Sequence, residues 1–239
     1  RALLEKMQSE DPTFQTRQAF NFEDLTTPLS VLNVCYPSDA FVANEEGKYE
    51  GALDNTHGKS GLHTVMDHKV VNHPKMQWTE FTYKPEVLSK YGKIFSQEHI
   101  ATYSSKIAAV CRAIQNSTGI VLIYSRYLEG GLLPMALALE EMGMTRYSSS
   151  SHILPFLKEP GAPLNPLTMS PKEKTDKYTA KYAMITGTKL FSHNNAEDLE
   201  LITDLDNKDG RHVKVVMISE AGSEGLDFKC IRQVHILDP

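Results

Sequence analysis

Apolar residues along this chain follow two rhythms. Ile107, Ala108, Val110, Cys111 and Ile114 recur three and four apart, the spacing of one helical face, and Asn116, Ser117 and Gly119 follow as stop signals. Ile120 to Tyr124 is instead an uninterrupted apolar run of strand length, which suits a strand buried on both faces of a parallel sheet. Gly130 and Gly131 then turn the chain into an apolar helix from Leu132 to Met142. The alternation resumes further on. Tyr182 to Ile185 reads as a short strand, and Asn195 to Leu205 as a helix capped by Asn194 or Asn195. Lys208, Asp209 and Gly210 form a turn; Val213 to Ile218 is a second apolar strand and Val234 to Leu237 a third. Strands alternating with helices at this spacing predict an α/β fold, a parallel sheet flanked by helices and joined by right-handed crossovers.

Other stretches carry less pattern. Residues 1 to about 30 read as helical, with Leu3, Leu4 and Met7 on one face and Pro12 and Pro28 as punctuation. Residues 31–100 are rich in Gly, Pro and polar residues and predict an irregular α+β insertion or subdomain of short strands, loops and some helix. Within them Trp78, Phe81 and Tyr83 alternate as core positions of a strand do. Residues 144–181 contain four consecutive serines, Ser148 to Ser151, and five prolines, and predict an insertion or loose loop. Three divisions result: a linker helix at 1–30, the irregular region at 31–100, and the α/β unit at 101–239.

Composition narrows the class. With 41% hydrophobic and 23% charged residues over 239 positions the chain is globular rather than disordered. No apolar stretch is long enough to span a membrane. Cys35, Cys111 and Cys230 are odd in number and widely spaced, so they read as free thiols of a reducing intracellular compartment, whether cytoplasmic, nuclear or inside a virion. A net charge of −5 argues against a protein that coats nucleic acid generally, yet leaves room for a local basic groove. The chain opens on Arg1 inside a helical pattern and stops just after an apolar strand, which is expected of a fragment of a larger protein.

The chemistry lies after the second strand, in Ser219-Glu220-Ala221-Gly222-Ser223-Glu224-Gly225-Leu226-Asp227. Ligands of parallel α/β sheets sit at the carboxyl ends of strands, which is where this loop falls. Its small residues let backbone amides approach a phosphate, Ser219 can donate to a phosphate oxygen, and Asp227 can accept from a sugar hydroxyl. The stretch VVMISEAGSEGLDFKCIRQVHILDP, Val215 to Pro239, resembles motif V of superfamily 2 helicases, in the branch of large DNA viruses related to the Snf2-type translocases. YSSKIAAVCRAIQNSTGIVLIYSRYLEGGLLPMALALEEMG, from Tyr103, resembles the motif IV region of the same domain, and TRQAFNF, Thr16 to Phe22, resembles the segment leaving the first RecA-like domain.

The resemblance implies a second RecA-like domain, the C-terminal motor lobe of an ATP-dependent helicase or translocase. Ser219 and Glu220 would then face the nucleic-acid groove, with Ser125 and Arg126 near backbone phosphates. Glu224, Gly225 and Asp227 would face ATP in the cleft with the first RecA-like domain of the same chain, and that first domain would bind most of the ATP and magnesium. DNA or RNA backbone is the implied partner, contacted mainly at phosphates. Parts of the machinery are missing from the sequence. Gly58-Lys59-Ser60 is no phosphate loop, because the first glycine of GxxxxGK[ST] would fall at Leu53. No DExH box occurs and no arginine-bearing motif VI follows, so the fragment alone has no catalytic residue and is expected not to hydrolyse ATP.

Two other classes stay open: a non-catalytic nucleic-acid or protein-binding module on the same fold, and an unrelated α/β nucleotide-binding enzyme such as a transferase. His57, His63, His68 and His73 are spaced six, five and five apart, off any single helical face, so no metal site is expected. Lys158, Lys172, Lys174, Lys177 and Lys181 read as a solvated face, and Arg232 as structural or exposed.

Overall fold

The computed structural model describes residues 26–39, 42–43, 49–50, 55–73, 76–149, 154–192, 195–222 and 226–238. The chain runs α1 (Thr26–Asn33), β1 (Val42–Ala43), β2 (Tyr49–Glu50), α2 (Gly58–Val65), β3 (Met66–His73), β4 (Met76–Tyr83), α3 (Pro85–Tyr91), α4 (Ile100–Tyr103), α5 (Ser105–Gln115) and β5 (Ile120–Tyr124). It continues through α6 (Leu133–Met142), β6 (Thr145–Tyr147), β7 (Lys181–Ile185), α7 (Asn195–Thr203), β8 (Val215–Ile218) and β9 (Ile231–Ile236). Of the stretch 1–30 expected to be helical, only 26–30 lie among the described residues, at the start of α1; the TRQAFNF segment lies outside them.

β5 to β9 form the expected parallel sheet, in the order β6-β7-β8-β5-β9. The apolar runs are its centre: Val215 to Ile218 are buried throughout, as are Val121 and Ile123. Both faces of this central part are covered, as a parallel sheet requires. On one, Val121, Ile123, Tyr182, Met184, Val215 and Met217 pack with α5 and α6. On the other, Ala183, Ile185, Val216 and Ile218 pack with Leu199 and Ile202 of α7. α6 is apolar nearly all round and is buried from Leu133 to Glu140, so it behaves as a core helix. A five-residue π turn, Leu128–Leu132, precedes it. Gly143 ends it at φ 103°, where an added Cβ would lie 1.8 Å from the Ala162 carbonyl oxygen; only glycine fits there.

The edge strands β9 and β6 differ from the sequence expectation for physical reasons. β9 begins at Ile231 rather than Val234, because it is an edge strand whose alternate residues face out and so break the apolar run. Its Val234 and Ile236 are 57% and 66% exposed and share a sheet face with their register partners Leu122 and Tyr124. β6 was not visible in the sequence, since Thr145-Arg146-Tyr147 has no strand-length apolar run.

The region 31–100 is built around a β3–β4 antiparallel hairpin, in register from Met66↔Tyr83 to His73↔Met76. Trp78, Phe81 and Tyr83 are buried, as expected. Its Tyr36, Leu62, Val65, Phe81 and Phe95 join the same hydrophobic cluster as the α5/α6 face of the sheet. The stretch after β6 is anchored as well as looped. Phe81 N–H donates to Phe156 O at 2.6 Å and Lys158 N–H to Phe81 O at 3.1 Å, so 156–158 lie along β4. Beneath them the buried Glu140 carboxylate accepts from Phe156 N at 2.9 Å, Leu157 N at 2.7 Å and Tyr182 Oη at 2.5 Å.

Candidate nucleotide and nucleic-acid site

β5 and β8 are neighbours at the centre of the sheet, yet their chains leave in opposite directions. After β5 the chain passes through α6 to β6 at one edge; after β8 it passes to β9 at the other. Such a reversal opens a crevice at the carboxyl ends of the two strands, the usual ligand position of open α/β sheets. The loops carrying the candidate residues both start there.

The first turn of the loop after β8 is tightly seated. Ser219 N–H donates to Ile185 O of β7 at 3.2 Å, and Glu220–Gly222 form a 3₁₀ turn closed by Gly222 N–H to Ser219 O at 3.0 Å. Gly222 lies against the end of β7, where a Cβ would stand 2.2 Å from Ile185 O. The small side chains therefore let the turn lie flat on the strand ends. Ser219 is 4% exposed, and among the described residues its hydroxyl has no hydrogen-bond partner. An orphaned buried hydroxyl is uncommon and costs about 1–3 kcal/mol. It is suited to a ligand oxygen that reaches the loop.

The loop after β5 meets this turn. Arg126 and Glu220 are both exposed and pair at 3.4 Å between Nε and Oε2. An exposed pair of this kind is worth about 0–1 kcal/mol, so an incoming phosphate can displace the carboxylate at little cost. Tyr124, at the end of β5, has its phenol held above the usual range by burial first, and then by the Glu220 and Asp238 carboxylates.

Ser125 is placed differently from the expectation of a phosphate contact. It is fully buried, and its hydroxyl donates to Asp238 Oδ2 at 2.6 Å and accepts from Tyr127 N–H at 3.1 Å. It faces the protein because Gly131 of the π turn packs onto it, where a Cβ would lie 2.1 Å from its Oγ. Asp227 is exposed, and its carboxylate is 3.8 Å from Lys229 Nζ. Glu224 and Gly225 lie outside the described residues. Arg232 is exposed on β9, its stem packed over Gly119. Among the described residues no group of three or more His, Cys, Asp or Glu could hold a metal ion, and no helix is long and apolar enough to cross a membrane. His63 and His68 stack on one another with ring centroids 4.2 Å apart.

Sequence reasoning missed Asp238, Asn33 and Lys106. The Asp238 carboxylate is 1% exposed and accepts from Asn33 Nδ2 at 2.8 Å, Ser125 Oγ at 2.6 Å and Arg126 N–H at 2.6 Å. Lys106 Nζ donates to Asn33 Oδ1 at 3.1 Å and Leu237 O at 2.7 Å. Ser104 Oγ donates to Asn33 O at 2.5 Å and caps α5 by accepting from Ile107 N–H at 3.0 Å. The available signal was an acid directly after an apolar strand, at the strand's carboxyl end.

Relatives of this chain come from African swine fever virus and entomopoxviruses. A protein of African swine fever virus (isolate Tick/Malawi/Lil 20-1/1983), named termination factor NPH-I homolog, is 33% identical over 146 residues, covering 57% of this chain and 20% of that protein. Nucleoside triphosphatase I of Choristoneura fumiferana entomopoxvirus is 23% identical over 197 residues, 75% of this chain and 25% of that protein. Nucleoside triphosphatase I of Heliothis armigera entomopoxvirus is 26% identical over 136 residues, 57% of this chain and 15% of that protein. The chain thus spans a quarter or less of the length of these curated relatives. No family model matches it.

Proposed function

We propose that this chain is the second RecA-like lobe of a superfamily 2 motor, which uses ATP to move along DNA or RNA and is inactive without a first lobe. The observation that carries the reading is the junction of the β5 and β8 loops at the switch point of the sheet. There an exposed Arg126–Glu220 pair sits beside a buried Ser219 hydroxyl that is unpaired among the described residues. Names of the viral relatives, a nucleoside triphosphatase and a termination factor homolog, support the same class.

In this reading Arg126 and Ser219 bind backbone oxygens, while Glu220 holds Arg126 in place until a phosphate replaces it. Ser125 keeps the β5 loop in position from beneath. Asp227, Glu224 and Gly225 face the nucleotide across the cleft, where the exposed Asp227 carboxylate is free of the sheet and suited to accept from a sugar hydroxyl. Magnesium and most of the triphosphate belong to the first lobe, so this lobe supplies orientation and coupling rather than the phosphate cradle. Closure of the lobes on ATP and their reopening after hydrolysis would alternate the grip on the backbone, with little preference for base sequence.

The test is Asp227→Ala in the longer protein that joins this chain to a first lobe, assayed for nucleic-acid-stimulated ATPase activity. A fall of about tenfold or more is expected, from loss of nucleotide orientation. Unchanged activity removes Asp227 from the nucleotide site. If the longer protein has no phosphate loop and no ATPase activity, the motor reading gives way to a binding module on this fold.

A further inference from the structure

Asp238 follows the edge strand β9 by two residues and is 1% exposed, among the most buried acids of the described residues. Its two oxygens are divided between different tasks. Oδ1 accepts the Arg126 backbone N–H, and Oδ2 accepts both the Ser125 hydroxyl and the Asn33 side-chain amide. One carboxylate therefore ties together the first residues after β5, the end of β9 and the last residue of α1. A buried carboxylate is costly without such partners, and each charge-assisted hydrogen bond to it is worth more than a neutral one. Hydrophobic packing does not account for this placement, since an apolar residue would take from the Asn33 amide and the Arg126 N–H the acceptor they share.

We infer that Asp238 is a positioning residue: it fixes the backbone at Arg126 so that the guanidinium meets a nucleic-acid phosphate, and it links that loop to α1. The inference rests on reading Arg126 as a phosphate contact. The Arg126 guanidinium pairs with the exposed Glu220 carboxylate, while its backbone is fixed from within the fold. The backbone N–H is held at 2.6 Å by Asp238, and Ser125 is locked from both sides by Asp238 and Tyr127. Asn33 is in turn fixed by Lys106 and Ser104, so a shift of α1 reaches the Arg126 loop through a continuous hydrogen-bonded path.

The experiment uses the 239-residue chain. Binding to a mixed-sequence DNA duplex is followed by fluorescence anisotropy from 50 to 200 mM NaCl, for Asp238→Ala, Arg126→Ala and the double variant. Hydrogen exchange at the Arg126 amide is measured in the same proteins. Arg126→Ala is expected to reduce the slope of log K against log salt by about 0.9, the loss of one phosphate contact. Asp238→Ala is expected to do nearly the same although it removes no positive charge, and the double variant should bind no more weakly than Arg126→Ala alone. Exchange at Arg126 should rise about tenfold in Asp238→Ala, and Asp238→Asn, which keeps an acceptor for that amide, should restore most of the binding.

Additive losses in the double variant, or unchanged exchange at Arg126, overturn the proposal. If Arg126→Ala binds DNA as the unaltered chain does, the phosphate-contact reading fails, and the exchange rate alone decides whether Asp238 positions the loop. Should Asp238→Ala not fold, Asn33→Ala removes one donor to the same carboxylate and is expected to speed Arg126 exchange about threefold. An unchanged rate there overturns the proposal as well.

Discussion

Glu140 makes the stability of this fold depend on pH in a direction opposite to that of most carboxylates. Burial raises its pKa from the ordinary 4.5 to about 7, against the downward pull of the Tyr182, Leu157 and Phe156 hydrogen bonds and of Arg146. Between those two values the folded chain holds a proton that the unfolded chain has released. Stability from this group is therefore full below about pH 4.5 and is lost as pH rises to about 7. At about 1.4 kcal/mol for each tenfold change in proton affinity, the loss totals roughly 3 kcal/mol. Glu140→Gln preserves the shape and removes the titration. Urea unfolding of both proteins at intervals from pH 5 to pH 8 isolates the effect, since all other groups titrate alike in the two and cancel in the difference. The stability of the unaltered chain relative to Glu140→Gln should fall by about 2–3 kcal/mol across that range, mostly below pH 7. A difference that stays flat within about 0.5 kcal/mol, or rises with pH, would falsify the assignment of a neutral Glu140 at low pH.

Two glycines give further tests. Gly143→Ala places a Cβ against the Ala162 carbonyl at a φ of 103°, and should destabilise the chain by at least about 2 kcal/mol, lowering Tm by roughly 4–8 °C in a thermal melt. Gly222→Ala pushes the 220–222 turn off the end of β7; in the longer protein it should lower nucleic-acid-stimulated ATPase activity about tenfold or more while Tm moves by less than about 3 °C. A large loss of Tm with unchanged activity would mean that the turn is only structural.

What was legible in the sequence follows from how each element is buried. Ile120–Tyr124 and Val215–Ile218 sit at the centre of the sheet with both faces covered, so they appear as apolar runs that need no context. β3 could not be read in that way. Asp67, His68, Lys69 and Val70 are all exposed, and the strand exists because β4 offers a ladder to pair with. β6 was hidden by Arg146, a charged residue that is 7% exposed because its guanidinium stacks 4.1 Å from the Phe156 ring centroid and donates to Phe191 O. The candidate site was legible as a loop at a strand end because its small residues and acids are local in sequence. Its support was not, since Asn33, Ser125 and Asp238 meet from positions up to 205 residues apart. For the same reason Ser125 read as a contact residue: nothing local shows that Asp238 and Gly131 enclose it.

The shared cluster under the hairpin limits how this protein can be divided. Tyr36, Leu62, Phe81 and Phe95 lie before position 101 and are each at most 3% exposed, in one cluster with Ile107, Ile123, Leu137 and Met217. Removing residues 31–100 would bare the α5/α6 side of the sheet, and the strip 156–158 would lose the β4 edge it lies along. The α/β unit and the irregular region before it therefore share one core. A truncation beginning at position 101 retains every candidate ligand contact, but the scaffold that holds those contacts would be incomplete.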